Sequence, residues 1–193
     1  MPRPREPVGA SAVGVRPLPP LVGGIAESAR LSDAWRTERP GPELRRRRRV
    51  VAGTMLSTAC MGVASLYQTG VVRRIPELPL GVFDANRVEA SAQAYQLLRM
   101  PDAPLAVVSF GLTAALAAGA GPEASWGRRA DLVRVALGAK ALVDLGYSLK
   151  LMADQVTKHG RLCSWCMTTT AGAAVAIGPA LQEGRAGWRA LRG

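Results

Sequence analysis

Only three of the 193 residues are cysteine (Cys60, Cys163 and Cys166), and only one, His159, is histidine. Three cysteines, two of them neighbours, cannot make a disulfide framework; they suggest one working dithiol and one bystander. A closed structural zinc site needs four ligands, which a distant Cys60 and a lone His159 do not complete, so no metal is expected. Covalent c-type haem needs a histidine directly after the second cysteine, where this chain has Met167. Acidic residues are scarce as well: 14 Asp and Glu face 25 Lys and Arg, a net charge of +11. Such an excess can serve nucleic acid, yet these arginines flank apolar runs and no aromatics interleave with them. The charge is read instead as membrane orientation, with no nucleic-acid partner. There is no internal repeat either, which gives little support to a transporter built on alternating access. No catalytic base is assignable, since His159 reads as a surface turn residue.

What the chain does have is uncharged apolar runs of spanning length, roughly 20 residues each. Residues 1–44, rich in Pro, Gly and Arg, read as a disordered N-terminal extension. A short helix over residues 25–36 is the one element that fits its pattern. Five consecutive arginines, 45–49, then precede the uncharged run 50–72. Two readings compete there. One is a positive-inside anchor before a first spanning helix; the other is a cleaved signal, with Ser57-Thr58-Ala59-Cys60 imitating a lipoprotein site. The run continues past Cys60 and is longer than a signal's apolar core, which favours the anchor.

Further spans are expected at 103–121, 132–153 and 162–182, with a basic cytoplasmic tail at 185–193. The polar segment between the first two spans holds an amphipathic pattern near Arg87–Leu98. The third span is awkward because it carries Arg134, Lys140, Asp144 and Lys150. A charge at the centre of a span costs roughly 2.5–3.5 kcal/mol on the insertion scale. Arg134 and Lys150 lie near the ends, where they would snorkel to water. Lys140 and Asp144 are one turn apart and would pair on a face turned inward, a structural pair in preference to a proton relay. Arginines at 45–49, 128–129 and 185–192 fall on one side of a four-span arrangement. The expectation is therefore an all-α membrane protein, a four-helix transmembrane bundle with both termini cytoplasmic and Cys163/Cys166 facing outward.

Cys163 and Cys166 are three residues apart, on one face of a helix that begins near Cys163. Unpaired N–H groups and the helix dipole at such a start favour the thiolate, the attacking species in thiol–disulfide exchange. A purely structural disulfide is the main alternative. The outer side of a bacterial membrane, where disulfides are made and used, suits either. Cys60, about ten residues into the first run and so about 15 Å deep, reads as a small buried apolar group.

Two stretches resemble the vitamin K epoxide reductase family, four-helix membrane quinone reductases coupled to disulfide formation. The first runs from Tyr147-Ser148-Leu149-Lys150 through Leu162-Cys163-Ser164-Trp165-Cys166; the second is Val88-Glu89-Ala90-Ser91, followed by Tyr95 and Met100-Pro101. The resemblance covers a redox domain at about residues 45–184. It implies that Cys163 exchanges with the dithiol of a periplasmic thioredoxin-like protein. Cys166 would then pass electrons to a quinone of the ubiquinone or menaquinone type in the inner membrane. Ser91, Tyr95 and Thr170 fall at positions the resemblance places about the quinone.

The chain also departs from the family. Members usually carry two loop cysteines that relay electrons to the CxxC pair; the nearer would fall at Ala85, and no cysteine lies between Arg73 and Asp102. Thr170 stands where animal members carry an aromatic. Either a partner reduces the Cys163/Cys166 pair directly, or the chain is a non-catalytic membrane subunit that keeps the bundle as a binding scaffold.

Overall fold

The computed structural model describes residues 24–122 and 127–193; residues 1–23 of the extension and 123–126 of the basic loop lie outside the described residues. Among the described residues the chain is all-helical: α1 Ile25–Arg36, α2 Pro42–Gln68, α3 Ala85–Glu89, α4 Asp102–Gly119, α5 Gly127–Asp154 and α6 Ser164–Arg192. A 3₁₀ turn, Ala92–Tyr95, and a π-helical turn, Gln155–His159, lie between them.

The long helices run past the expected span limits for local reasons. Pro42 opens α2 directly after Gly41, a place where its missing N–H costs nothing. The arginine run therefore lies inside the helix, which starts at Pro42 and not at 50. It ends at Gln68, just before Gly70 turns the chain with φ +78°. α6 continues through Pro179 to Arg192, so the basic tail forms its last turns. The amphipathic helix expected near Arg87–Leu98 is broken. Asp84 caps the short α3 by accepting the Arg87 N–H at 3.0 Å, and the left-handed backbone of Leu98 and Arg99 stops the chain before α4.

α2 packs on α4 and α6, and α5 packs on α6 and α4. The interfaces are built from small residues, so the backbones approach closely. A Cβ on Gly172 of α6 would lie 2.6 Å from the Gly53 carbonyl oxygen of α2. Buried Ala64, Ala173, Ala176 and Ala180 continue the seam. Large aliphatics point the other way: Val108 is 71% exposed and Val143 63%, and Leu142, Leu149 and Val175 are exposed too. Among the described residues two helices, α2 and α4, are long and apolar enough to cross a membrane.

Two groups of buried charges tie the long helices together. At one end, Glu183 is fully enclosed and accepts from Arg46 Nε at 2.7 Å and Arg47 Nε at 3.0 Å, with Arg134 Nε at 3.2 Å. Arg134 also reaches Glu43 at 3.1 Å. The expectation that Arg134 snorkels is corrected: it is 5% exposed, held inside by carboxylates of α2 and α6.

The second group joins α4 to α5. Lys140 pairs with Asp144 and donates to Ser109 Oγ at 2.7 Å, while Ser109 and Thr113 both donate to Asp144. Among the described residues, the partners of the pair come from α4 and α5 alone. Removing one charge strands the other, at about 3–5 kcal/mol. We expect Asp144→Leu alone to lower the unfolding temperature in detergent more than Lys140→Met with Asp144→Leu together. A double variant at least as damaged as the single one would contradict this.

Candidate functional site

The turn before α6 places the two cysteines. Gly160, at φ +58°, reverses the chain, and Leu162 then runs beside Phe83 in an isolated parallel bridge. Leu162 N–H donates to the Val82 carbonyl and its own carbonyl accepts from Asp84 N–H, both at 2.9 Å. Cys163 is the N-cap of α6: its Sγ accepts the Cys166 N–H at 3.3 Å, and its own N–H donates to Gln155 Oε1 at 2.9 Å. Both thiols are free, as is buried Cys60.

Cys163 has no exposed surface. It packs with Ile75, Ala85 and Val88, which belong to the segment between α2 and the end of α3. That segment is tied to α6 around the cysteine. Trp165 Nε1 donates to the Pro76 carbonyl at 2.7 Å, Ser164 N–H to Glu77 Oε2 at 3.1 Å, and the Arg161 guanidinium to the Gly81 carbonyl. Ala85, where the family would carry a loop cysteine, is fully buried against Cys163.

Glu89 is the residue the sequence reading missed. It is 3% exposed, and its Oε1 lies 2.8 Å from Cys166 Sγ and 3.4 Å from Cys163 Sγ, within reach of both thiols. Burial pushes its carboxyl above the ordinary value, and neighbouring Asp102 adds to this against the opposing hydrogen bonds from both thiols and Gln68. Glu89 Oε2 accepts from Gln68 Nε2 at 2.7 Å, and the same nitrogen donates to Asp102 Oδ1 at 2.8 Å. The signal for Glu89 was its place on the Ala85, Val88, Glu89 face of α3, an apolar face but for this one acid. The three donor atoms of Glu89, Cys163 and Cys166 lie within 4.8 Å of one another, one ligand short of a closed tetrahedral site.

Cys166 lines a cavity of about 200 Å³ between α2, α4, α5 and α6, with Met61, Asp102, Phe110, Tyr147 and Thr170 among its walls. Its lining is mostly apolar with a few convergent polar groups, the usual make-up of a small-molecule site. Of the residues expected about a quinone, Thr170 lines this cavity, its hydroxyl donating to the Cys166 carbonyl at 2.9 Å. Ser91 and Tyr95 lie outside the lining; Tyr95 OH instead donates to the Gln68 carbonyl at 3.2 Å. His159 ends the π-helical turn before the pair. A larger cavity, about 470 Å³, lies away from the cysteines, against Ala34, Leu44 and Pro122.

A search of curated proteins finds no match to the chain. The sequence profile of the vitamin K epoxide reductase family matches residues 46–178, a stretch that runs from within α2 to within α6 and takes in Glu89 and both cysteines of the pair. The match covers well over half of the sequence, and the chain belongs to the vitamin K epoxide reductase family.

Proposed function

We propose that the protein is a membrane thiol–disulfide oxidoreductase that passes two electrons from a protein dithiol, through Cys163 and Cys166, to a membrane quinone. Family membership carries the general part of this reading, a membrane protein with redox chemistry toward quinone. The observation that carries the rest is the split environment of the pair. Cys166 faces the apolar cavity, while Cys163 faces the loop segment. This supports a division of labour in which Cys166 meets the quinone and Cys163 the partner, although Cys166 also packs against the loop cluster.

In this reading α2, α4, α5 and α6 form a four-helix transmembrane bundle. The outward Val108, Leu142, Val143 and Val175 meet lipid, although α5 and α6 are less apolar than α2 and α4. The Arg46–Arg47–Arg134–Glu183 end, together with Arg185 to Arg192, is cytoplasmic, which leaves Cys163 and Cys166 at the periplasmic side of a bacterial inner membrane. Thr170 contacts the quinone, of ubiquinone or menaquinone type. Ser91 and Tyr95 act from the loop side, Tyr95 by holding the end of α2.

The exchange balances as follows. A thiolate of a thioredoxin-like partner attacks Cys163 Sγ of the Cys163–Cys166 disulfide, and Cys166 leaves as thiolate. The partner's second thiol then attacks the mixed disulfide, which releases reduced Cys163 and an oxidised partner. The reduced pair returns two electrons to the quinone and closes its own S–S bond. Because Cys163 is covered, the partner has to displace the loop segment to reach it. In Cys166→Ser the pair's disulfide cannot form. The lone Cys163 thiolate instead attacks the disulfide of an oxidised partner, and the resulting mixed disulfide, which Cys166 can no longer displace, is expected on non-reducing gels as a covalent adduct to a periplasmic dithiol protein. No adduct under oxidising conditions would count against direct exchange.

The buried Ala85 gives a second test. In Ala85→Cys the new thiol sits in the Cys163 cluster, so oxidised protein should yield an Ala85→Cys to Cys163 disulfide in non-reducing peptide maps. If only the Cys163–Cys166 bond forms, the loop does not sit on Cys163 as described. The missing loop cysteines and the charged third span are the features that favour a non-catalytic scaffold, a role that would not require the pair to cycle.

A further inference from the structure

We propose that Glu89 and Asp102 are the acid–base pair of this redox site, Glu89 holding a thiol proton as the disulfide forms and Asp102 protonating the quinone. This rests on the oxidoreductase reading above. Neither carboxylate belongs to the CxxC motif, and both are brought to it by tertiary structure.

The geometry is a continuous chain from sulfur to cavity. Glu89 Oε1 faces both sulfurs, at 2.8 Å from Cys166 and 3.4 Å from Cys163. A general base needs this hydrogen-bond reach before anything else. Its other oxygen and Asp102 share the two hydrogens of one nitrogen, Gln68 Nε2, at 2.7 and 2.8 Å. That amide cannot turn over without loss, because Gln68 Oε1 accepts the Ala103 N–H at 3.0 Å. Asp102 in turn lines the cavity beside Cys166 and Tyr147.

The groups facing Glu89 are Cys163 and Cys166 at the start of α6, Gln68 of α2 and Asp102 of α4; beyond Asp102 stand Tyr147 and Lys150 of α5. Among the described residues, no lysine or arginine forms a salt bridge with Glu89; Lys150 pairs with Asp154 at 2.8 Å. Glu89 is buried and Asp102 half-buried; two carboxyls joined through one amide resist double ionisation, so in this proposal the pair shares one proton and one negative charge. Burial makes Glu89 a stronger base than a surface carboxylate, which suits it to a thiol.

The cycle then balances. The reduced site holds two thiols, ionised Glu89 and protonated Asp102. Both S–H bonds break, the S–S bond forms, and two electrons pass to the quinone. One thiol proton goes to Glu89, the other goes to the quinone from Cys166, and Asp102 supplies the quinone's second proton. The negative charge moves from Glu89 to Asp102 and the total is unchanged. When a partner dithiol reduces the disulfide, Cys166 leaves as thiolate and takes back the Glu89 proton. Of the two partner protons, one stays on Cys163 and the other restores Asp102.

The test is single-turnover oxidation of the pre-reduced, full-length protein in detergent by a soluble short-chain quinone, followed by alkylation mass shift across pH. Glu89→Gln keeps the size of the side chain and removes the base. General acid–base groups contribute typically about 10²–10⁴-fold, so we expect about a hundredfold slower oxidation near pH 7. The deficit should shrink as pH rises and the thiols ionise unaided. Glu89→Asp should recover part of the rate, and Asp102→Asn should slow it with the thiol's pH dependence retained. A packing role alone would not produce that pH profile. Glu89→Gln with the wild-type rate and profile, while Cys166→Ser is inert, overturns the acid–base role and leaves the oxidoreductase reading intact. A wild-type pair that ignores the quinone overturns both.

Discussion

Glu183→Gln should lower stability by about 3–5 kcal/mol, the usual consequence of breaking a buried ion pair from one side. Glu183 has no exposed surface, and Arg46, Arg47 and Arg134 all direct a guanidinium nitrogen at it within 3.2 Å. The neutral amide leaves two arginines from α2 and one from α5 around a site with no charge to offset them. Glu43 cannot take over, since it already binds Arg134 at 3.1 Å and Arg47 at 3.5 Å, and it is partly open to water. Glu43→Gln should therefore cost less. Thermal unfolding in detergent micelles measures both. Equal losses, or an unchanged midpoint for Glu183→Gln, would mean that the three helices are not joined at this carboxylate.

The second large effect is kinetic. Reduced Cys163 should react with a water-soluble maleimide far more slowly than an exposed thiol, because reaction requires local opening of the loop segment. Trp165→Ala removes a hydrogen bond to the Pro76 carbonyl and packing on the Cys163 cluster; Glu77→Ala removes the partner of the Ser164 N–H. A hydrogen bond contributes about 1 kcal/mol. Two of them with the lost packing come to about 3 kcal/mol, roughly a hundredfold in the open population. The double variant should speed alkylation of Cys163 by that factor, with little change at Cys60, which lies buried within α2. If Cys163 labels quickly in the unaltered protein, the segment is not a cover, and a partner needs no displacement step to reach it.

Much of this architecture was legible in the sequence, for physical reasons that can be named. Uncharged runs bounded by arginines marked α2, α4 and α6, and the polar turn before Cys163 marked the start of α6 at the residue that caps it. Where reading failed, the cause was a partner distant in sequence. Arg134 looked like a snorkelling residue because its carboxylates come from Glu43 and Glu183 on other helices. Glu89 looked like one more charge in a polar loop. Only folding, which sets α3 against the start of α6, brings its carboxylate within 2.8 Å of Cys166. The Arg87–Leu98 pattern misled for a local reason: an amphipathic period continues on paper through Ser91, where the backbone is extended and α3 has ended.

The account turns on whether Cys163 and Cys166 cycle. Isolated membranes containing the full-length protein, alkylated before and after addition of excess quinone, report this as a mass shift of the pair. The account predicts conversion of both thiols to a disulfide that depends on quinone and is lost in Cys166→Ser. A pair whose redox state does not respond to quinone at any load would contradict it and leave a helical scaffold without catalytic turnover.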